Sequence, residues 1–414
     1  MIYLFGIFIF LNSFLPKAGF NTTLLPFHLN LTDIIYLILL SFCFYKLDYK
    51  KTFKLFLPIY LIFAWGIVSF LHSYYSSVPL QDILDEFLRQ YIYIFIPVII
   101  YRLIIDEIKI NILIKYFLAG LICLSLYGIL QSVFSVNFTE FSRNILYKLG
   151  YPPNSSFYPD SQSPNFERIT TTLLSYNSTG QYLASSIIFF LAQFFLNNKL
   201  KRTTNILIII FIVLSTIILV LTRSRSSWIG FFASLSVFGY IILNKRFWLF
   251  PLGFAIIMSL FIFFNENINT RIKSFISLKN DFSTQVRIQA IKSSVKPFLN
   301  SPLIGHGLGT YSARKIPGDR VIFEGLDCFY VNFILTNGLL GLMIFLTPVL
   351  LVFNKSLLLF NQIKTNGFIV GTFCSLIVFL VGAFFDSMLT TSTYIIVLYW
   401  FYYGLLLREL HEHN

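Results

Sequence analysis

The chain has 414 residues, of which 56% are hydrophobic and only 12% charged, with a mean hydropathy of +0.75. So much apolar surface cannot be hidden in one globular core, which excludes a soluble enzyme domain. The formal net charge of +13 suits anionic lipid surfaces and diphosphate groups without identifying either.

Taken in chain order, apolar runs recur at about the 17–25 residues that a bilayer core demands of a helix. They are continuous rather than alternating in about ten-residue units, which excludes a transmembrane barrel. The runs predict helices near 1–15, 32–46, 55–73, 89–105, 111–135, 177–196, 204–222, 226–243, 247–264, 338–354, 366–385 and 391–407. The first, Met1–Leu15, has no basic stretch before it and no small-residue cleavage site after it, so it reads as a retained helix. The expected fold class is an all-α polytopic membrane protein of about 12 transmembrane helices, a single integral domain over 1–414.

Orientation follows from the cations. With the N-terminus in the cytoplasm, the inner connections carry Lys46, Lys50, Lys51 and Lys54, then Arg102 and Lys109, then Lys199, Lys201 and Arg202. Lys245 with Arg246, and Lys355 with Lys364, complete a short, basic inner set, and both termini fall inside. Two outer segments are long, 136–176 and 265–337. Cys43, Cys123 and Cys374 lie in spans and Cys328 beside one; no paired spacing suggests a disulfide or a metal site.

Four stretches carry candidate chemistry. Leu221-Thr-Arg223-Ser-Arg225-Ser-Ser-Trp228 forms a tight outer hairpin between two apolar helices. Arginine at such a depth usually faces a cavity or a partner, and its planar fork grips phosphate oxygens in two places; lipid headgroups are the competing partner. Residues 285–299 have helical spacing and bring Arg287, Ile291 and Lys292 together. Pro302 and Gly305, Gly307 and Gly309 then end that helix in a loop whose backbone can approach a ligand, with His306 inside it as a candidate base or as plain polar surface. No strand precedes the glycines, which argues against a dinucleotide fold. Arg168 is a third candidate anion ligand, followed by Asn177 and Ser178, which read best as helix caps. Glu324, Asp327 and Tyr330 lead into Gly338-Leu-Leu-Gly341; a carboxylate here can take a proton from a sugar hydroxyl or pair with an arginine. The Asp82, Asp85 and Glu86 cluster is explained by the dipole of a helix starting after Pro79, and no metal site is expected.

The arginine hairpin, the Arg287–Lys292 helix with its Pro-Leu-Ile-Gly-His-Gly-Leu-Gly loop, and Gly338-Leu-Leu-Gly341, in this order, resemble a known family. It is the O-antigen ligase/O-antigen polymerase (Wzy-like) superfamily of bacterial membrane glycosyltransferases, and the resemblance covers about residues 165–345. It implies a type C glycosyltransferase fold in the bacterial inner membrane, with the active site facing the periplasm or cell exterior. It further implies an undecaprenyl-diphosphate-linked oligosaccharide donor and acceptor within membrane lipids, and a chain-length regulator as a candidate protein partner. Cofactors, metal and nucleic acid are not expected. Arg168, Arg225 and Arg287 match the family's basic positions for diphosphate binding, with Arg223, Tyr330, Gly305, Gly307, His306 and Glu324 as substrate-binding candidates. Ligases of the family place a His-Asn pair about eleven residues before the Gly-Leu-Leu-Gly glycine, where this chain has Asp327-Cys328. That departure favours a polymerase with Asp327 as base, over a ligase. A lipid-linked glycan transporter is the alternative of another class; it calls for ionisable residues within the spans, which are nearly free of them.

Overall fold

The computed structural model describes residues 1–14, 31–45, 49–104, 107–148, 169–173, 175–197, 200–264, 282–309, 328–359 and 364–412. Among the described residues there is no strand, and the fold class is all-α and polytopic. In chain order the helices are α1 (Ile2–Phe14), α2 (Leu31–Tyr45), α3 (Tyr49–Tyr75), α4 (Leu80–Tyr91), α5 (Ile96–Leu103), α6 (Glu107–Lys148) and α7 (Tyr176–Leu196). They continue as α8 (Arg202–Leu221), α9 (Arg225–Leu243), α10 (Leu249–Phe264), α11 (Phe282–Asn300), α12 (Phe329–Leu358), α13 (Gly367–Gly382), α14 (Met388–Thr391) and α15 (Thr393–Glu412). Among the described residues, six stretches are long and apolar enough to cross a membrane: Thr52–Tyr75, Ile108–Val133, Tyr176–Leu196, Arg202–Leu221, Arg225–Leu243 and Phe329–Leu358.

Each expected apolar run is helical, with three departures. The run expected at 89–105 is α4 and α5 joined by a single 3-10 turn, Ile92–Phe95. Pro97 opens α5, and without an N–H it cannot continue the α-helical ladder through that turn. Helix α6 runs past the expected end near 135 to Lys148. Helix α12 starts at Phe329 rather than near 338, because Gly338 is a break inside it, at φ 70°, and not its beginning.

The centre is α7, α9, α13 and α15. Helix α13 packs on α7, α9 and α15, and α15 packs in turn on α5. Small residues permit the approach: a Cβ added at Gly230 of α9 would lie 2.7 Å from the Val378 carbonyl of α13. Serines then bond across the contacts, Ser234 to the Cys374 carbonyl at 2.6 Å and Ser375 to the Ser185 carbonyl at 2.7 Å. This is how helices associate where lipid tails are as apolar as leucine. Outward faces such as Ile209, Ile210 and Val213 of α8 stay exposed.

Candidate active site at one end of the bundle

The hairpin between α8 and α9 is built by its hydroxyls. Thr222 bonds the Leu219 carbonyl at 2.8 Å, and the indole of Trp228 bonds that same carbonyl at 3.0 Å. Arg223 then turns the chain at φ 52°, a left-handed backbone that glycine adopts freely and arginine does not. Ser224 stands at the N-cap position of α9, which begins at Arg225, with its side chain turned to other partners. Both arginines are buried, each 8% exposed. An arginine turn that is both buried and backbone-strained needs the surrounding structure to hold it.

Three neighbours do so. Ser224 Oγ donates to Asn177 Oδ1 at 2.7 Å and lies 2.8 Å from Ser227 Oγ. Asn177 and Ser178 are therefore not the caps of α7. That position is Ser175, whose side chain accepts from the Ser178 amide, and Asn177 instead reaches across to the arginine turn. Gly180 lets α7 come this close, since a Cβ there would meet Ser227 Oγ at 2.4 Å. On the other side, Ser226 Oγ donates to Asp386 Oδ2 at 3.3 Å. Asp386 is 1% exposed, and its backbone carbonyl also receives the Phe329 amide at 3.1 Å, tying the start of α12 to the same place. Asp386 has no counterpart among the residues singled out from sequence; the signal available was a lone acid between two apolar runs.

Beside this lies the glycine loop. At Gly338 the break in α12 releases the carbonyls of Leu335 and Thr336 and the amides of Leu339 and Leu340. All four are satisfied by the loop after α11: His306 and Gly307 amides donate to Leu335 and Thr336, each at 2.8 Å, and Leu339 and Leu340 donate to Pro302 at 2.9 Å and Leu303 at 3.2 Å. Gly305 and Gly307 take φ of 77° and 89°, and a Cβ at Gly307 would sit 2.2 Å from Ser73 Oγ. His306 Nε2 lies 2.9 Å from the Pro297 carbonyl, which can only accept, so this nitrogen carries a hydrogen and bolts the loop to α11. Glu86, on the inner side of the amphipathic α4, accepts the Gly309 amide at 2.6 Å and the Gln90 side-chain amide at 2.7 Å. Burial pushes its carboxyl above the ordinary range, opposed by the charge of Arg89. Asp82 sits in the first turn of α4, as the dipole argument expects. No three His, Cys, Asp or Glu side chains among the described residues are grouped to hold a metal ion.

Of the remaining candidates, Arg287 is half-buried on α11, which packs on α12. Tyr330, half-buried in the first turn of α12, donates to the Leu380 carbonyl at 2.9 Å and has its ring 4.5 Å from that of Phe384. Arg168, Glu324 and Asp327 lie outside the described residues. The segment that follows Arg168 is pinned: the Thr171 amide donates to Gln131 of α6 at 3.0 Å, and Thr171 and Thr179 hydroxyls pair at 2.9 Å.

The N-termini of α7, α9 and α12 thus meet at one end of the bundle, each contributing partial positive charge beside Arg223 and Arg225. Such a fold and such an end define a multi-pass membrane protein with a buried basic site, suited to an anionic group. Residues 210–346 match the family model described as O-antigen ligase, a stretch running from α8 through the arginine hairpin and the glycine loop into α12. This match supports a place in the O-antigen ligase/polymerase superfamily, for which the family description implies activity of the membrane glycosyltransferase type. The match bears equally on polymerase and ligase. No curated protein matches the chain.

Proposed function

We propose that the protein is a polysaccharide polymerase, transferring a glycan chain from undecaprenyl diphosphate to the non-reducing end of another lipid-linked repeat unit. The observation that carries this reading is the buried pair Arg223 and Arg225, held in a strained turn where α7, α9 and α12 begin. A polyprenyl diphosphate presents its leaving group at headgroup level. As the anomeric carbon–oxygen bond breaks, the electron pair and growing charge pass to the diphosphate, and prearranged arginines stabilise that charge. Arg225 and Arg223 are assigned to the diphosphate, with Arg287 and Arg168 as its further proposed ligands.

The acceptor hydroxyl attacks the anomeric carbon on the face opposite the leaving group, and its proton goes to the Asp327 carboxylate. A single displacement of this kind inverts the anomeric centre. His306 is less suited to be the base, because Nε2 is engaged with Pro297. The aspartate at 327, where ligases of the family carry a His-Asn pair, supports polymerase over ligase. The gathering of Arg223, Arg225 and Asp386 at a bundle end, rather than mid-span, supports transfer over transport.

The test is the glycan size profile of cells lacking the gene, with and without its restoration. Single repeat units on the final acceptor that become a ladder on restoration are the expected result. Full-length polymer retained on polyprenyl diphosphate in the deletion would instead assign a ligase.

A further inference from the structure

A second recess lies away from the arginine end. A cleft of about 530 Å³ opens between the C-terminal half of α9, the C-terminal end of α12 and the N-terminal half of α13, at the opposite end of the bundle from Arg225. Consecutive helices part company here: α12 packs on α3 and α11 and α13 on α7 and α9, although both also touch α15. Phe353 and Phe373, 4.6 Å apart, bridge the two helices within the gap. Its walls, including Val237, Val370 and Ile377, are apolar, and its volume falls within the ~300–1,000 Å³ of ligand-binding cavities.

The rim has the opposite character. Lys364 and Tyr240, both exposed, line the cleft where α13 and α9 leave the apolar zone. Around that end stand Arg246 after α9, Lys355 in the last turn of α12, and Lys201 with Arg202 at the start of α8. The end of α7 brings that α8 start beside α13, since a Cβ added at Gly367 would lie 2.9 Å from the Ala192 carbonyl. An apolar well under a basic rim selects an amphiphile with an anionic head, and basic recesses between membrane helices are where anionic lipid headgroups dock.

We propose that this cleft holds one acyl chain of an anionic glycerophospholipid, with the headgroup phosphate on Lys364. The site stands apart from the arginine end and does not rest on the glycosyl-transfer reading.

The experiment is native mass spectrometry of the delipidated full-length protein titrated with phosphatidylglycerol or with phosphatidylcholine of the same chains. The wild type is expected to retain one phosphatidylglycerol in preference to phosphatidylcholine. Lys364→Gln, on the surface and without consequence for packing, lowers that preference about fivefold, the effect of one interfacial cation. Leu357→Trp, which fills the mouth from its 63% exposed position, lowers retention of both lipids. Equal retention of the two lipids by the wild type, or an undiminished preference in Lys364→Gln, overturns the proposal. So does a polyprenyl phosphate, rather than a phospholipid, carried through purification by the wild type and lost in Leu357→Trp.

Discussion

Ser224, the residue between the two buried arginines, donates a 2.7 Å hydrogen bond to Oδ1 of Asn177 on the neighbouring helix. The bond joins the start of α7 to the start of α9 and fixes the hairpin that Arg223 strains. Replacing Asn177 with Ala removes the acceptor and leaves a buried hydroxyl to find another, at a cost of about 1–3 kcal/mol. Polymer yield per unit of protein should fall about tenfold in Asn177→Ala, with membrane abundance maintained. Wild-type chain lengths and yield in that variant would show that the bond does not position the arginines.

Arg223 and Arg225 separate two requirements. Arg225 starts a regular helix, so Arg225→Lys keeps the charge while losing the planar fork; activity should drop by about 10²-fold, the scale for removing one transition-state donor. Arg223 sits at φ 52°, where glycine is at ease. Arg223→Gly should therefore raise the melting temperature, by relief of about 1 kcal/mol of strain, while lowering activity. A lower melting temperature in Arg223→Gly would mean that the guanidinium contributes more to the fold than its backbone costs.

The glycine loop and the α12 break depend on each other. A Cβ at Gly338 would stand 2.1 Å from the Leu303 carbonyl, a backbone atom that cannot move aside without undoing the four bonds exchanged with residues 302–307. Gly338→Ala should lose at least about 1–3 kcal/mol from the positive φ alone. The measurement is thermal unfolding together with amide exchange over 302–307, which should accelerate in step with the loss of stability.

These contacts mark where sequence reasoning reached and where it stopped. The arginine hairpin was legible because Leu221–Trp228 interrupts two apolar runs with two cations. The Pro-Leu-Ile-Gly-His-Gly stretch and the Gly-Leu-Leu-Gly stretch were each legible, but not that one satisfies the broken backbone of the other. Hydropathy is blind to a backbone break in a continuous apolar helix, so Gly338 read as a beginning. For the same reason Ile92–Phe95 read as uninterrupted. Asn177 read as a cap because local spacing favours it; its partner is 47 residues away. Asp386 was missed because its side chain's partner, Ser226, is 160 residues distant.

Glu86 gives the protein a pH-dependent element outside the arginine end. It lies on α4 ahead of the apolar run that begins near residue 89, and burial raises its pKa. A carboxyl whose folded pKa is raised is favoured in its protonated form by folding. Its contribution is complete below the unfolded value of about 4.3 and is lost as pH climbs through the raised folded value. Glu86→Gln fixes the neutral form and keeps an oxygen for the Gly309 amide, so its melting temperature should change less than that of the wild type as pH rises from that window toward neutrality. Parallel profiles would place the coupling elsewhere.

Asp386 is the positioning residue that the fold adds to the site. Its Oδ2 accepts from Ser226 in the first turn of α9, and its carbonyl accepts the Phe329 amide at the start of α12, so one residue holds two of the converging helix ends. Only the side-chain bond responds to substitution, which makes the role separable. Asp386→Asn keeps an acceptor oxygen for Ser226 and should retain most of the activity. Asp386→Ala leaves the buried serine without that acceptor, and kcat should fall by about tenfold or more while KM for the lipid-linked donor moves less. The carboxylate reaches Ser226, the neighbour of Arg225 in the first turn of α9, and a negative charge there also opposes an incoming diphosphate. Neutralising it in Asp386→Asn should therefore lower KM, an effect no merely structural contact would produce. A kcat in Asp386→Ala equal to the wild type's would remove Asp386 from the site.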